Sequence, residues 1–297
     1  MRRLTYRIPR QWDGKPVKAY ARGCLELSAK AFAGQKFENG MFLNEQPCRA
    51  NTILHSGDSL CFFLPEEPAG YPAAPLPLDI LWETEDYLLA LKPPAMPVHP
   101  SPGHDRDSLL NAVAWHNQVT NQAYRVRPLY RLDKDTSGLL PLAKHRIAAG
   151  AKLEKRYLAL CQGKLKGSGV VDTPIGLAPG SKIRRECGRG QPAITHWQAL
   201  AGDGFHTLVA LNLETGRTHQ IRVHMAYIGH PLAGDDLYGG SLAVVSRQAL
   251  HCCSLRLECP ALGVAQEFYA PLPQDLLSAF PWAETPSQPI KKLGKAN

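Results

Sequence analysis

The sequence predicts an α+β fold in which a small α/β unit precedes a larger unit built on a mixed, mainly antiparallel sheet. Five prolines fall between Pro65 and Pro77, and such a run continues neither a helix nor a central strand. The stretch after it alternates short apolar runs with few helical patterns. At 297 residues the chain is long enough to bury a sizeable core and to form two units.

The proline-rich span sets the predicted boundaries. Residues 1–64 form the small unit, 65–77 a semi-rigid linker, 78–282 the larger unit, and 283–297 a polar, basic tail. Within the small unit, residues 14–37 are predicted to be mostly helical. A strand at 41–43, a turn at 44–46 and a strand at 53–54 follow, and residues 59–64 close the unit as a strand.

Apolar runs predict strands of the larger unit at 87–91, 139–143, 156–160, 194–200 and 207–213. Pro141 cannot donate to a sheet ladder, so it places the second of these strands at an edge or a bulge. Ser108 is a candidate N-cap for a helix. A further helix is predicted at 218–228, with Gly229 as its C-terminal stop.

The chain is basic, with 34 lysines and arginines against 26 acidic residues and a formal net charge of +8. This balance favours a polyanionic partner, although solubility alone would also explain it. We expect no membrane span and no secretory signal, because the apolar segments that either requires are missing. Eight cysteines, none in a Cys-x-x-Cys pair, indicate reduced core thiols in a cytoplasmic protein and no metal site.

Residues 131–138, Arg-Leu-Asp-Lys-Asp-Thr-Ser-Gly, place a carboxylate close to a permanent cation in a turn that ends in glycine. Asp133 is the candidate nucleophile, because an ionised and rigidly held carboxylate can attack a carbon atom. It stays ionised in a dry cleft only beside a fixed cation, and Arg131 and Arg222 are both available. Asp135 competes for the role, and a surface turn paired with a neighbouring cation is the structural alternative.

A second polar segment follows Gly216, at the predicted start of a helix: Arg217, Thr218, His219 and Gln220. Backbone donors and the helix dipole attract anions at such a position, and Arg222 lies one turn further along. A phosphate or carboxylate site is therefore favoured over a solvated helix end.

Two other features leave alternatives open. Tyr157 stands beside Lys155 at the start of a predicted strand, where it suits either stacking on a nucleobase or an ordinary place in the core. Residues 231–240 form a glycine-flanked loop with two acids, which is either an acid site or a structural loop.

Residues 131–140 resemble the signature of the RluA family of pseudouridine synthases. Further segments fit the same family in the same order: 92–94 with 98–100, 155–159, 215–224 with 229–232, 234–239 and 247–251. The resemblance implies a catalytic domain of the pseudouridine synthase type, which isomerises uridine to pseudouridine in RNA without a cofactor.

The resemblance also implies roles for individual residues. Asp133 corresponds to the catalytic aspartate, Tyr157 to a tyrosine packed on the flipped base, and Arg222 to an arginine paired with the carboxylate. Arg131 is similar to an arginine that fills the vacated space, and Ile221 to an apolar residue against the uracil. The remaining residues expected to contact the RNA are Lys155, Arg217, Thr218, His219 and Gln220.

The small unit resembles an RNA-binding module shared with a small-subunit ribosomal protein, through residues 44–45, 57–58 and the final strand. We expect a monomer that acts on ribosomal or transfer RNA. A non-catalytic RNA-binding factor is a second function class, but it would be expected to lack at least one of the three catalytic residues. A hydrolase is a third class, and it would require a second acid, for which only Asp135 or the pair Asp235 and Asp236 is available.

Overall fold

The computed structural model describes residues 2–37, 40–68 and 70–283, and it confirms the α+β class. The tail predicted at 283–297 lies outside the described residues except for Ala283. In the described ranges, no helix combines the length and the apolarity needed to cross a membrane.

The small unit is an antiparallel sheet with two helices packed beside it. Its elements are β1 (Arg2–Arg7), α1 (Val17–Gly23), α2 (Ala29–Phe37), β2 (Met41–Leu43), β3 (Gln46–Pro47) and β4 (Ser59–Leu64), and the sheet order is β1-β4-β2-β3. The strand predicted at 53–54 is wrong, because Ile53 makes only an isolated bridge with Pro16. Asn44 and Glu45 both adopt left-handed backbone, with φ of 48° and 70°, so the chain reverses at once and β3 takes that place.

The larger unit alternates strands with three helices in the described ranges. Its elements are β5 (Ile80–Glu83), β6 (Tyr87–Lys92), α3 (Leu109–Val119), β7 (Arg127–Pro128), β8 (Ser137–Ala143), β9 (Lys152–Gln162), β10 (Ser168–Asp172), β11 (Ile175–Leu177), β12 (Arg185–Cys187), β13 (Ile194–Gly202), β14 (His206–Leu213), α4 (Gln220–Tyr227), β15 (Leu250–Cys259), β16 (Val264–Tyr269) and α5 (Gln274–Ala279). All five predicted strands are confirmed, and Ser108 caps α3 as predicted.

One mixed sheet organises this unit, in the order β10-β13-β14-β9-β15-β8-β6-β5. Strand β16 also pairs with β15, and β7 with β8, while β11 and β12 form a separate hairpin. Neighbouring strands are antiparallel except for β8 and β15, which run parallel. The mainly antiparallel sheet is therefore confirmed.

Strand β8 is central, so the prediction that Pro141 marks an edge strand is wrong. All seven residues of β8 are buried, with β6 on one side and β15 and β7 on the other. Strand β15 pairs with the first two residues of β8, whereas β7 pairs with the last two. Pro141 lies between these two pairings, and its carbonyl accepts from the Leu129 backbone N–H at 3.0 Å. Proline is tolerated there because no hydrogen bond of the sheet requires an N–H from this residue.

Helix α4 begins two residues later than predicted, at Gln220. His219 precedes it with φ of 58°, in the left-handed region, and such a residue cannot join a right-handed helix. The predicted stop at Gly229, with φ of 84°, is confirmed. The late start turns the polar segment before α4 into a tight loop.

The two units share a hydrophobic core. One buried cluster contains Leu4, Ile8, Tyr20 and Phe62 of the small unit together with Tyr87, Ala143, Ile147 and Leu257 of the larger one. The Tyr6 hydroxyl donates to the Ala261 carbonyl at 2.7 Å, and Arg2 pairs with Asp86 at 2.8 Å. The small unit is therefore packed directly against the sheet of the larger one.

The proline-rich segment between the units lies along the larger unit. Ala74 is buried, and its N–H donates to the Asn111 carbonyl of α3 at 3.1 Å. Before it, the Glu67 carboxylate pairs with Arg127 at 2.5 Å and with Arg146 at 3.3 Å. These contacts anchor the described part of the segment at both ends.

Candidate active site

One cavity of about 330 Å³ gathers all ten residues that the sequence singled out. Its lining includes Arg131, Asp133, Lys155, Tyr157, Arg217, Thr218, His219, Gln220, Ile221 and Arg222. The cavity opens where the loop before β8, the strand β9 and the loop before α4 meet. The placement of these residues is thus as expected, and their individual roles stay predictions.

The turn that carries Asp133 is fixed by its own backbone and by a glycine. The Thr136 N–H donates to the Asp133 carbonyl at 3.1 Å, which closes the turn. Gly138 has φ of 126°, and a Cβ atom there would lie 2.4 Å from the Cys252 carbonyl oxygen of β15. Only glycine lets the chain enter β8 this close to β15, so the carboxylate is held beside the centre of the sheet.

A buried lysine supports the same turn from behind. The Lys92 ammonium is fully buried and donates to the carbonyls of Lys134, Pro93 and Met96, at 2.8, 2.7 and 2.8 Å. Burial lowers the pKa of Lys92 to about 7, and the Asp135 charge opposes that shift. Lys92 thereby joins the end of β6 to the residue that follows Asp133.

Arg222 binds two carboxylates at once. Its Nη1 donates to Oδ2 of Asp133 at 3.2 Å, while Nε and Nη2 donate to the two oxygens of Asp235, each at 2.7 Å. The Asp235 side chain is fully buried, whereas 23% of the Asp133 side chain is exposed to the cavity. Burial alone would lower the pKa of Arg222, but the hydrogen bonds and charges of the two carboxylates raise it. The guanidinium is a permanent, oriented cation beside the candidate nucleophile.

His219 is a second neighbour of Asp133. Its Nδ1 is 2.8 Å from the Tyr238 hydroxyl, and its Nε2 is 3.9 Å from Oδ2 of Asp133. Burial lowers the pKa of His219, the Asp133 charge opposes this shift, and the Arg222 charge adds to it. The imidazole is therefore neutral at neutral pH.

The rest of the loop before α4 is tied to the sheet and to the turn of Asp133. The Gln220 amide donates to the Ile194 carbonyl at 2.9 Å and accepts from the Arg217 N–H at 2.9 Å, so its hydrogen bonds hold the loop. Arg131 is exposed and donates to Oγ1 of Thr218 at 3.3 Å. Of the two arginines available to Asp133, Arg222 makes the ion pair. Arg131 instead donates to Thr218 at the edge of the cavity.

The floor of the cavity is apolar and aromatic. Tyr157 and Ile221 are each 4% exposed and belong to the main core of the larger unit. The Lys155 ammonium lies 4.5 Å from the centre of the Tyr130 ring, and burial lowers its pKa. Burial also holds the pKa of Tyr157 well above its usual value, so this hydroxyl stays protonated. A flat apolar floor below an ionised carboxylate suits an uncharged aromatic ring as ligand.

Comparisons with known proteins agree with this geometry. The family model for RNA pseudouridylate synthase matches residues 86–227. The protein named uncharacterized RNA pseudouridine synthase YjbO, from Bacillus subtilis (strain 168), is 41% identical over 273 residues, which cover 88% of this chain and 96% of that protein. The chain belongs to the RNA pseudouridylate synthase family.

Two further relatives extend the comparison. Ribosomal large subunit pseudouridine synthase D of Escherichia coli (strain K12) is 38% identical over 235 residues, which cover 71% of this synthase and 72% of that protein. The solved structure of human RNA Pseudouridylate Synthase Domain Containing 1 has a TM-score of 0.53 and 25% identity, and covers 67% of this chain and 85% of that one. The predicted RluA membership is confirmed, and the synthase is an enzyme that isomerises uridine in RNA.

Sequence reasoning did not foresee the supporting contacts of three residues around Asp133, Arg222 and His219: Lys92, Asp235 and Tyr238. The acidic loop at 231–240 was noticed, but its alternatives stayed open. Asp235 is now seen in a structural role, because both of its oxygens bind Arg222 and its side chain is fully buried. In the described ranges, no group of three or more histidine, cysteine or acidic side chains gathers as metal ligands.

His251 gives the synthase a predicted sensitivity to acid. It is buried on β15, with Nδ1 2.9 Å from Oγ of Ser137 at the start of β8, and burial lowers its pKa to about 4. As pH falls, the unfolded chain binds the proton first, near pH 6.5. His251 therefore contributes stability above pH 6.5 that is lost as pH falls to 4, by about 3 kcal/mol.

The measurement is urea unfolding at several pH values for the wild type and for His251→Gln. We expect the substitution to make the decline between pH 6.5 and 4 smaller by about 3 kcal/mol, even if it lowers stability throughout. Equal slopes in the two proteins would show that other groups cause the decline.

Proposed function

We propose that the synthase converts specific uridines of a structured ribosomal or transfer RNA to pseudouridine, with Asp133 as the nucleophile that acts on a flipped-out base. The observation that carries the proposal is the pairing of Asp133 with Arg222 at 3.2 Å, in a cavity floored by Tyr157 and Ile221. An ionised carboxylate, a permanent cation and an apolar platform are the groups that this reaction requires.

The chemistry follows from where each group lies. Arg222 orients the Asp133 carboxylate, and Tyr157 and Ile221 receive the uracil ring. Asp133 then attacks either C1′ of the ribose or C6 of the base. The glycosidic bond breaks with its electron pair on the base, and the base rotates. C5 then bonds to C1′, the bond between Asp133 and its target carbon breaks, C5 loses its hydrogen as a proton, and N1 gains one. Arg131, exposed at the rim, fills the space that the flipped base leaves.

The charge of the chain supports a polyanionic substrate. The net charge is +8, and Arg131 and Arg217 are exposed at the cavity, where they can neutralise phosphates on either side of the flipped nucleotide. The relative named for the large ribosomal subunit favours ribosomal over transfer RNA. We further propose that the enzyme acts in the cytoplasm, as a monomer and without a cofactor, and that the small unit adds an RNA contact.

The test is a map of pseudouridines in RNA from cells with the gene intact, deleted, or restored as Asp133→Ala, by carbodiimide-stop sequencing. We expect one or a few sites to disappear on deletion and to return only with the wild-type gene. Sites that return with Asp133→Ala would refute the nucleophile. A map that deletion leaves unchanged, in cells without a redundant enzyme, would refute the proposed substrate.

A further inference from the structure

The hydroxyl of Tyr238 lies between a main-chain donor and a histidine. The Arg185 backbone N–H donates to the Tyr238 oxygen at 3.0 Å, and Nδ1 of His219 is 2.8 Å from the same oxygen. Burial raises the pKa of Tyr238, so the phenol keeps its proton. Within the part of the chain that the structure describes, Nδ1 of His219 is the acceptor available to that proton.

This arrangement determines which nitrogen of His219 carries hydrogen. A neutral imidazole has one N–H and one acceptor nitrogen, and the hydrogen bond made by one nitrogen fixes the other. Because Nδ1 accepts from Tyr238, the proton resides on Nε2. The ring also packs edge-on against Tyr238, with ring centres 5.7 Å apart, which limits its rotation.

The Nε2–H group faces the cavity beside the nucleophile. Nε2 lies 3.9 Å from Oδ2 of Asp133, too far for a hydrogen bond. Among the described residues, no other acceptor lies within hydrogen-bond distance of it. A donor held in place at the edge of the cavity, without a protein partner, is available to a ligand there.

We propose that His219 is a catalytic residue, which donates an uncharged hydrogen bond from Nε2 to a carbonyl oxygen of the uracil, and that Tyr238 is the positioning residue that sets its tautomer. This inference rests on the proposed function. When the N1–C1′ bond breaks, its electron pair stays with the base, and the negative charge spreads over both carbonyl oxygens. Attack at C6 instead places charge on the C4 oxygen. In either case the hydrogen bond stabilises that charge, and no proton is transferred.

An uncharged donor suits this site because charges already surround it. His219 faces Asp133, Arg222, Asp235 and Arg185, and a second cation beside Asp133 would compete with Arg222 for the carboxylate. Protonation of His219 would also give Nδ1 a hydrogen that points at the Tyr238 proton. The rate should therefore fall in acid as the imidazolium forms.

The tautomer is tested first, by ¹⁵N NMR of the protein labelled at histidine, without RNA. His219→Asn identifies the signals of this residue, and asparagine tolerates the left-handed backbone at φ of 58°. We expect an unprotonated Nδ1 and a protonated Nε2 in the wild type, and a mixture of tautomers in Tyr238→Phe. A wild-type ring that carries its proton on Nδ1 overturns the proposal.

The catalytic role is tested by single-turnover kinetics on total RNA purified from cells that lack the gene. We expect the rate to fall about 10²-fold in His219→Asn and about tenfold in Tyr238→Phe, with unchanged RNA affinity. Tyr227→Ser, on the exposed end of α4, is the matched control and should match the wild type. Weaker RNA binding at an unchanged rate in His219→Asn would overturn the proposal. If the wild type modifies no RNA, the proposed function fails, and the NMR result still decides the tautomer.

Discussion

Replacing Asp133 with Asn should reduce the rate of pseudouridine formation by at least about 10⁴-fold, since the amide is no nucleophile and nothing else in the cavity can replace it. The fold should survive, because Arg222 keeps both of its bonds to Asp235. The rate is measured as tritium released from RNA labelled at C5 of uridine, the carbon that loses its hydrogen. Circular dichroism monitors the fold.

Asp135→Asn is the matched control, since Asp135 stands in the same turn and competes for the role on sequence alone. Asp135 is not among the residues that line the cavity. We expect it to change the rate of the folded enzyme much less than Asp133→Asn does. The reverse order of effects would mean that the wrong carboxylate has been assigned.

Replacing Asp235 with Asn should damage both stability and catalysis. The substitution keeps the shape but leaves the buried Arg222 with one charged partner, and breaking a buried ion pair costs about 3–5 kcal/mol. Arg222 is then free to reorient, and misplacing Asp133 should slow the folded enzyme by about 10²-fold. Urea unfolding and single-turnover kinetics measure the two effects.

Asp236→Asn provides the comparison, because Asp236 is the neighbouring residue and is exposed. It should behave like the wild type in both measurements. If Asp235→Asn lowers stability but the folded fraction keeps its full rate, Asp235 has no part in positioning the nucleophile.

The chemistry of the candidate site was more predictable than its supports. A carboxylate in a dry cleft needs a fixed cation, and this requirement left Arg131 and Arg222 as candidates. The family resemblance favoured Arg222, which lies 89 residues further along the chain and makes the ion pair. Asp235 carries no such signal. Its position beside Arg222 depends on how the loop after α4 folds back, and no local pattern encodes that path.

The fold was predictable where patterns are local. Strands with continuous apolar runs were found, whereas β15 was missed, because its buried positions include His251, Cys252, Cys253 and Ser254. Strand β1 was missed because Arg2, Arg3 and Arg7 give it the composition of a solvated terminus. The helix predicted from residue 218 starts late because tertiary contacts hold His219 in a left-handed conformation.

The shared core of the two units determines how the small unit can be studied. Deletion of residues 1–64 would expose Tyr87, Ile147 and Leu257 to solvent. These three side chains are buried in the intact chain. A shortened enzyme would then lose activity through aggregation, whatever its RNA contacts. Charge reversal at Lys18 and Arg22, both exposed on α1, spares that core and isolates the contribution of the small unit to substrate choice.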